Sequence, residues 1–248
     1  MLFGGLSLLE KSGDQILSST VTSAIASLFK KTENLKINIK AEPIAKLFQG
    51  KMDGFEFVGQ GMLMYNGLRL EAMDLYLQEV AIDFGSVFQG KVELTESIEA
   101  IMRVVLSEDD LTASFNTPFI IEKLQRLTYQ GKNLFFQNTN IDINPDRTFN
   151  LSSEIRLGKN GEVIPVMIKS EMELQGRTKI QFTNAEYMGD EKSQNLAREL
   201  INHVNNLLNL ENFVLDGTNL TVDKFLVKDK QLVFYGMAQI NHFPQNNK

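Results

Sequence analysis

The sequence predicts an α+β fold in which a long, strongly curved antiparallel meander sheet wraps around two long amphipathic helices. Three observations support this prediction. Two stretches of about twenty residues have a one-sided apolar stripe at helical spacing, about ten stretches alternate apolar and polar residues, and tight-turn residues separate consecutive alternating stretches. Because no linker rich in Pro, Gly or Ser interrupts the 248 residues, we expect a single domain, 1–248.

The first helix is predicted at 12–31. Ser12 stands three residues before Gln15, which is the spacing of a capping box, and Lys30 and Lys31 lie where the helix dipole favours cations. One side is mostly serine and threonine. The other side is the apolar stripe, Ile16, Leu17, Val21, Ala24, Ile25, Leu28 and Phe29.

A curled sheet is predicted from 34 to 188, and it begins with a long hairpin. Asn66-Gly67 predicts a two-residue type I′ turn, which needs positive φ at both positions. In the return strand, 68–83, the apolar residues change phase, and this predicts a bulge. Phe-Gln-Gly occurs at 48–50 and again at 88–90, and we expect both copies at one end of the sheet.

The rest of the chain is predicted as a helical hairpin, four meander strands, a second long helix and two closing strands. Ser107 with Asp110 caps the first helix of the hairpin, at 107–130, and Thr117-Pro118 begins its second helix. The predicted ranges are strands 96–106, 133–144, 148–157, 162–174 and 178–187, helix 190–210, and closing strands 213–227 and 231–240 within 213–241.

Composition argues against several classes of protein. The net charge is −6 without a Lys/Arg cluster, so we expect no nucleic-acid partner. The chain has no cysteine, so neither a disulfide nor a thiolate metal site can form. The first residues lack a basic, cleavable leader, and no apolar run reaches the roughly 18 residues of a membrane span. These features predict a cytoplasmic protein.

The candidate reactive groups favour structural roles. The chain has two histidines, His203 beside a helical stripe and His242 near the end, and neither has a partner nearby in sequence. Asp109-Asp110 is typical of helix-cap chemistry. We therefore predict no catalytic residue and no cofactor.

Two motifs resemble ligand-binding loops but lack residues that a calcium loop or a dinucleotide site requires. Segment 142–146 begins like a calcium loop, yet Arg147 replaces the required Gly and Ser153 replaces the required Glu, so a hairpin turn is favoured. The Gly-Gln-Gly at 59–61 lacks the third glycine of a dinucleotide site and is better explained by strand bending. We predict no metal site.

Aromatic and basic residues gather at one predicted end of the sheet. Phe3, Phe48 and Phe88 lie there with Lys51 and Lys91, a combination that suits contact with a membrane interface. The simpler interpretation, that the apolar residues plug the end of the sheet, is favoured because scattered apolar surface residues are normal.

The interior presents a similar choice. Seventeen Phe and ten Met without a Trp form either an ordinary core or an adaptable lining around an acyl chain. For the second possibility, the lining candidates come from both long helices and from one face of strand 96–106. They are Ile25, Leu28, Ile98, Met102, Val104, Leu200 and Val204.

Four motifs together resemble the LmeA-type phospholipid-binding family, formerly a domain of unknown function, and most closely its cyanobacterial branch. They are Lys-Leu-Phe-Gln-Gly-Lys at 46–51, Gly-Gln-Gly at 59–61, Ala-Ile-Asp-Phe-Gly-Ser-Val-Phe-Gln-Gly-Lys at 81–91 and Gln-Leu-Val-Phe-Tyr-Gly-Met-Ala at 231–238. The resemblance implies phospholipid binding and a fold similar to the tubular lipid-binding proteins. It transfers no catalytic residue. Envelope relatives carry an export signal that this chain lacks, so we expect a cytoplasmic protein peripheral to an internal membrane.

The leading hypothesis is a non-enzymatic phospholipid carrier or membrane-lipid sensor. The alternative is a structural or protein-interaction module with a fully packed core and no ligand. A weaker third hypothesis, a lipid hydrolase or transferase, lacks a nucleophile with a base near it in sequence.

Overall fold

A computed structural model describes residues 26, 29–43, 45–87, 89, 93–211 and 217–242. The described chain is mostly antiparallel sheet with a few helices, which confirms the α+β class. The strands are β1 (Asn34–Lys40), β2 (Lys51–Leu63), β3 (Arg69–Ala81), β4 (Ile98–Ser107), β5 (Thr128–Tyr129), β6 (Lys132–Ile143), β7 (Phe149–Leu157), β8 (Val163–Gln175), β9 (Lys179–Met188), β10 (Thr218–Lys228) and β11 (Gln231–Ile240). The helices are α1 (Ala45–Phe48), α2 (Phe84–Val87), α3 (Glu108–Phe115), α4 (Pro118–Leu124) and α5 (Glu191–Leu207).

The strands form two sheets, and the prediction of one continuous curled sheet is wrong. Strands β5 to β9 form a five-stranded meander in chain order, whereas the other six have the order β1-β2-β3-β4-β11-β10. The closing hairpin therefore returns to the first sheet, where β11 pairs with β4 along its whole length. Helices α3 and α4 separate β4 from the second sheet in sequence, which explains why the meander is interrupted there.

The turn between β2 and β3 differs from the predicted type I′ turn. The Gly67 N–H donates to the Met64 carbonyl at 2.9 Å, the Met64 N–H donates to the Leu68 carbonyl at 2.9 Å, and within the loop only Gly67 has a positive φ, of 89°. This is a three-residue loop built from a type I turn and a left-handed glycine. Asn66 uses its side-chain oxygen to accept the Leu68 N–H instead.

The predicted change of phase in β3 is present, but no residue is inserted. The residues at 77 and 80 are both buried, and between them Glu79 has a φ of 53°. The register between β2 and β3 nevertheless continues without a shift. Gly61 in β2 also has a positive φ, of 56°, so the two strands bend by backbone rotation rather than by a bulge.

The two long predicted helices have different outcomes. Most of 12–31 lies outside the described residues, and its predicted end is wrong, since Lys31 pairs with Leu63 as an isolated bridge. The second helix is confirmed as α5, which begins after the N-cap Asp190 and ends three residues before the predicted 210. The helix ends early because the chain after it runs beside the start of β9, where the Leu210 N–H donates to the Thr178 carbonyl at 2.7 Å.

The helical hairpin confirms the predicted caps. The Ser107 hydroxyl accepts the Asp110 N–H and the Asp110 carboxylate accepts the Ser107 N–H, each at 3.1 Å, which completes the capping box of α3. The Thr117 hydroxyl accepts the Ile120 N–H at the start of α4. Helix α4 ends at Leu124 rather than near 130, because β5 follows and pairs with β6.

Two buried apolar clusters correspond to the two sheets. The first lies on the inner face of the six-stranded sheet, and the second lies between the five-stranded sheet and α5. Side chains such as Met172, Leu208 and Phe234 pack against both clusters and join them. None of the helices in the described ranges combines the length and the apolar character needed to cross a membrane.

Candidate functional site

A cavity of about 380 Å³ lies along the inner face of the six-stranded sheet. Leu70 and Leu77 both line it and are seven residues apart in β3, so the lining extends over on the order of 23 Å of strand. Helices α3 and α4 and the start of β9 contribute further walls, through residues such as Leu111, Ile120 and Ile180. The cavity is therefore elongated along the strands.

The lining is almost entirely apolar. Among the described residues that line the cavity, the polar side chains are Arg69, Ser114 and Thr218. A volume of about 380 Å³ is within the range of about 300–1,000 Å³ that is typical of small-molecule sites. Such a cavity suits a long, flexible apolar group, and its described lining residues include no acid–base pair and no nucleophile with a base.

Sequence alternation explains how the strands present this lining. In β4 the even-numbered residues from Ile98 to Leu106 face inward, as the period of two requires. In β11 the inward position opposite Leu220 holds Ala238, a small residue that leaves space where a larger side chain would fill it. Two strands distant in sequence thus create the space together.

The predicted lining residues are distributed over both cores. Met102 and Val104 line the cavity, and Ile98 is buried in the same cluster without lining it. Leu200 and Val204 instead lie in the second cluster, packed under the five-stranded sheet, so the structure does not bring them to this cavity. Ile25 and Leu28 lie outside the described residues.

The predicted membrane-contact end is partly described. The Ile82 N–H donates to the Gly50 carbonyl at 2.8 Å, which places the first Phe-Gln-Gly loop beside the end of β3, as expected. Phe48 is 60% exposed and does not plug the interior, and its ring packs edge-on against Phe84. Lys51 is exposed at the same end, whereas Phe3, Phe88 and Lys91 lie outside the described residues. Membrane contact stays a prediction.

Two of the reactive groups considered from sequence, His203 and Asp110, make contacts that hold elements of the fold together. His203 is half-buried, and its Nε2 lies 3.1 Å from the Lys123 carbonyl, which links α5 to α4. Asp110 belongs to the capping box of α3. In the described part of the chain, no three His, Cys, Asp or Glu side chains gather in a way that could hold a metal ion.

The segment that resembles a calcium loop is the turn between β6 and β7, as predicted. The Asn144 N–H donates to the Thr148 carbonyl, which closes the turn. Asp146 accepts the Thr148 hydroxyl at 2.6 Å, the Lys169 ammonium at 3.0 Å and the Thr148 N–H at 3.1 Å. These donors stabilise the carboxylate and lower the pKa of Asp146 from its ordinary value of 3.8 to about 2.

This turn makes stability depend on pH in the acid range. Because the pKa of Asp146 is lower in the folded chain than in the unfolded chain, its contribution is present above pH 3.8 and is lost towards about pH 2. We expect Asp146→Asn to unfold at lower urea than wild type at pH 6, and the two urea midpoints to converge at pH 2. Asp229→Asn controls for the loss of one exposed turn carboxylate. A difference that stays constant from pH 6 to pH 2 would contradict this assignment.

Several lining residues were not identified from the sequence. Leu220 and Ala238 belong to strands that the sequence predicts. The sequence does not predict that these strands join β4, because that pairing is a long-range contact. Arg69 follows a turn and carries no local signal of its own. The alternation in β10 was the available indication of an inward face, although it does not reveal which sheet that face joins.

The family model described as LmeA-like phospholipid-binding matches residues 11–237. No curated protein matches the chain, and no solved structure matches it.

Proposed function

Because the chain belongs to the LmeA-like phospholipid-binding family, we propose that it holds an acyl chain of a phospholipid in the cavity of the six-stranded sheet. In this proposal the protein carries lipid or senses membrane lipid and catalyses no reaction. The observation that carries the proposal is the elongated apolar cavity lined by residues such as Phe57, Leu75 and Met102. The tubular lipid-binding arrangement that the resemblance implies is part of the same proposal.

Energetics favour an occupied cavity. Burial of an acyl chain contributes about 0.8 kcal/mol per CH₂, so ten methylenes contribute on the order of 8 kcal/mol.

The proposal predicts that the purified protein contains phospholipid and that filling the cavity removes it. Ala238→Leu adds three carbon atoms to the lining and displaces about three methylenes, which corresponds to an affinity loss of about 50-fold. The variant should be at least as stable as wild type from which the lipid has been extracted, because the leucine fills space that is empty in that state. Native mass spectrometry before and after solvent extraction measures the bound lipid, and urea unfolding measures the stability.

Ala185→Leu is the matched control, since Ala185 packs against the second cluster and does not line the cavity. It should retain the lipid of wild type. Equal lipid in wild type and in folded Ala238→Leu would contradict the proposal. Absence of lipid from wild type, with urea unfolding unaffected by phospholipid vesicles, would instead favour a protein-interaction module with a packed core.

A further inference from the structure

Arg69 occupies a distinctive position at the cavity. It is the first residue of β3, it lines the cavity, and its side chain is 56% exposed. Among the described lining residues it is the single charged one. A residue that both lines the cavity and reaches solvent marks the place where the cavity opens, which we call the Arg69 rim.

The hydrogen bonds at the Arg69 rim leave donors available. The Nε of Arg69 lies 3.7 Å from Asp110 Oδ1, and Asp110 Oδ2 already accepts the Ser107 N–H in the capping box. The Arg69 backbone N–H donates to Ser114 Oγ at 3.2 Å, which anchors the residue to α3. Within the described chain neither Nη atom of Arg69 makes a hydrogen bond, and the Ser114 hydroxyl proton remains available for a ligand.

Two lysines add positive charge beside Arg69. Leu63 pairs with Arg69 on one side, and its carbonyl accepts the Lys30 N–H at 2.9 Å and the Lys31 N–H at 3.3 Å on the other. With strands about 4.8 Å apart, the Cα atoms of Lys31 and Arg69 are about 10 Å apart. Both lysines are exposed. The carboxylate within ion-pair distance of Arg69 in the described chain is that of Asp110, whose side chain is 8% exposed.

We infer that Arg69 and the Ser114 hydroxyl bind the phosphate group of a phospholipid whose acyl chain lies in the cavity, with Lys30 and Lys31 attracting the anion. A guanidinium presents parallel N–H donors that match two phosphate oxygens, and such charge-assisted pairs are the stronger class of hydrogen bond. The apolar chain and the anionic group then lie at adjacent positions, as they do in a phospholipid. This inference rests on the proposed function.

The test compares two lipids with identical acyl chains, phosphatidylglycerol and diacylglycerol, which differ in the phosphate headgroup. Each is supplied in detergent micelles to wild type, to Arg69→Gln and to Arg103→Gln, and the dissociation constant is measured by intrinsic tyrosine fluorescence. Arg103 is the matched control, because it pairs with Asp74 at 3.0 Å and does not line the cavity. A third variant, Arg69→Lys, keeps the charge but loses the planar pair of donors.

Arg69→Gln should weaken phosphatidylglycerol binding by about tenfold, the loss expected for one charge-assisted hydrogen bond, and should leave diacylglycerol within about twofold of wild type. Arg69→Lys should have an intermediate effect, and Arg103→Gln should bind both lipids like wild type. The loss should shrink at high salt, because the rim is exposed.

Other outcomes separate the two proposals. The phosphate subsite would be overturned if Arg69→Gln weakened the binding of both lipids equally or of neither. The proposed function would still stand in that case if wild type retained lipid and Ala238→Leu lost it. Glycerol phosphate that binds wild type as tightly as phosphatidylglycerol would also overturn the phosphate subsite, since the site would then take free phosphate. Failure of wild type to bind either lipid would overturn both proposals.

Discussion

Gly236→Ala should destabilise the protein by about 3 kcal/mol, because a Cβ at this position has no space. It would lie 1.9 Å from the Thr221 carbonyl oxygen and 2.9 Å from the Val222 Cα, both of them backbone atoms that cannot rotate away. Gly236 pairs with Val222 where the register between β10 and β11 shifts, so the two backbones approach closely there. Urea unfolding of the purified variant measures the loss.

Gly54→Ala is the matched control for this prediction. Gly54 also lies inside a strand, but the nearest atom to a Cβ there is the Lys40 Cβ at 3.7 Å, an ordinary contact. This variant should be as stable as wild type or about 0.5 kcal/mol more stable, because alanine loses less backbone entropy on folding. Equal stability of the two variants would contradict the close approach of the β10 backbone to Gly236. Because Val222 and Ala238 line the cavity, Gly236→Ala should also reduce bound lipid.

Leu200→Ala should cost about 3 kcal/mol of folding stability without emptying the cavity. Leu200 lies on α5, is 2% exposed and belongs to the second apolar cluster, so its truncation leaves a void under the five-stranded sheet. The cavity of the first sheet does not include this residue. Thermal and urea unfolding measure the first effect, and native mass spectrometry of the folded fraction measures the second.

Met167→Ala provides the comparison for Leu200, since Met167 is 48% exposed on β8 and its truncation should change stability by less than about 0.5 kcal/mol. Loss of lipid from folded Leu200→Ala would indicate that the ligand lies against α5, where the sequence alone had placed it. Retention of lipid, together with its loss from Ala238→Leu, would assign the ligand to the first sheet.

Local features of the fold were predictable because their causes lie within a few residues. The closing strand was predicted at 231–240 and is found there as β11, because its β-branched and aromatic residues, Val233, Phe234 and Tyr235, favour a strand. The capping box of Ser107 and Asp110 is present because both hydrogen bonds form within one helical turn. The apolar stripe of α5 is likewise a property of one segment, and five of its residues are buried, namely Leu196, Ala197, Leu200, Ile201 and Val204.

The sequence-based predictions that are wrong concern features that depend on neighbouring strands or on contacts distant in sequence. The turn at Asn66-Gly67 has three loop residues because Met64 and Leu68 pair with each other, and the dipeptide does not reveal that pairing. The predicted end of the first helix is wrong because Lys31 pairs with Leu63, a residue thirty-two positions later. Leu200 and Val204 were placed at the ligand because sequence shows an apolar stripe without showing which sheet covers it.

The sequence by itself determined the class of the fold, most of its strands, α5, the helix caps and the resemblance to a family that the family comparison confirms. These depend on side-chain period, turn chemistry and motif residues, which are local. Only the tertiary structure decided that there are two sheets, that β11 joins β4, and that Ala238 and Arg69 share one cavity. The reason is physical: a cavity is the space that distant strands fail to fill, and its volume depends on their packing rather than on any one segment.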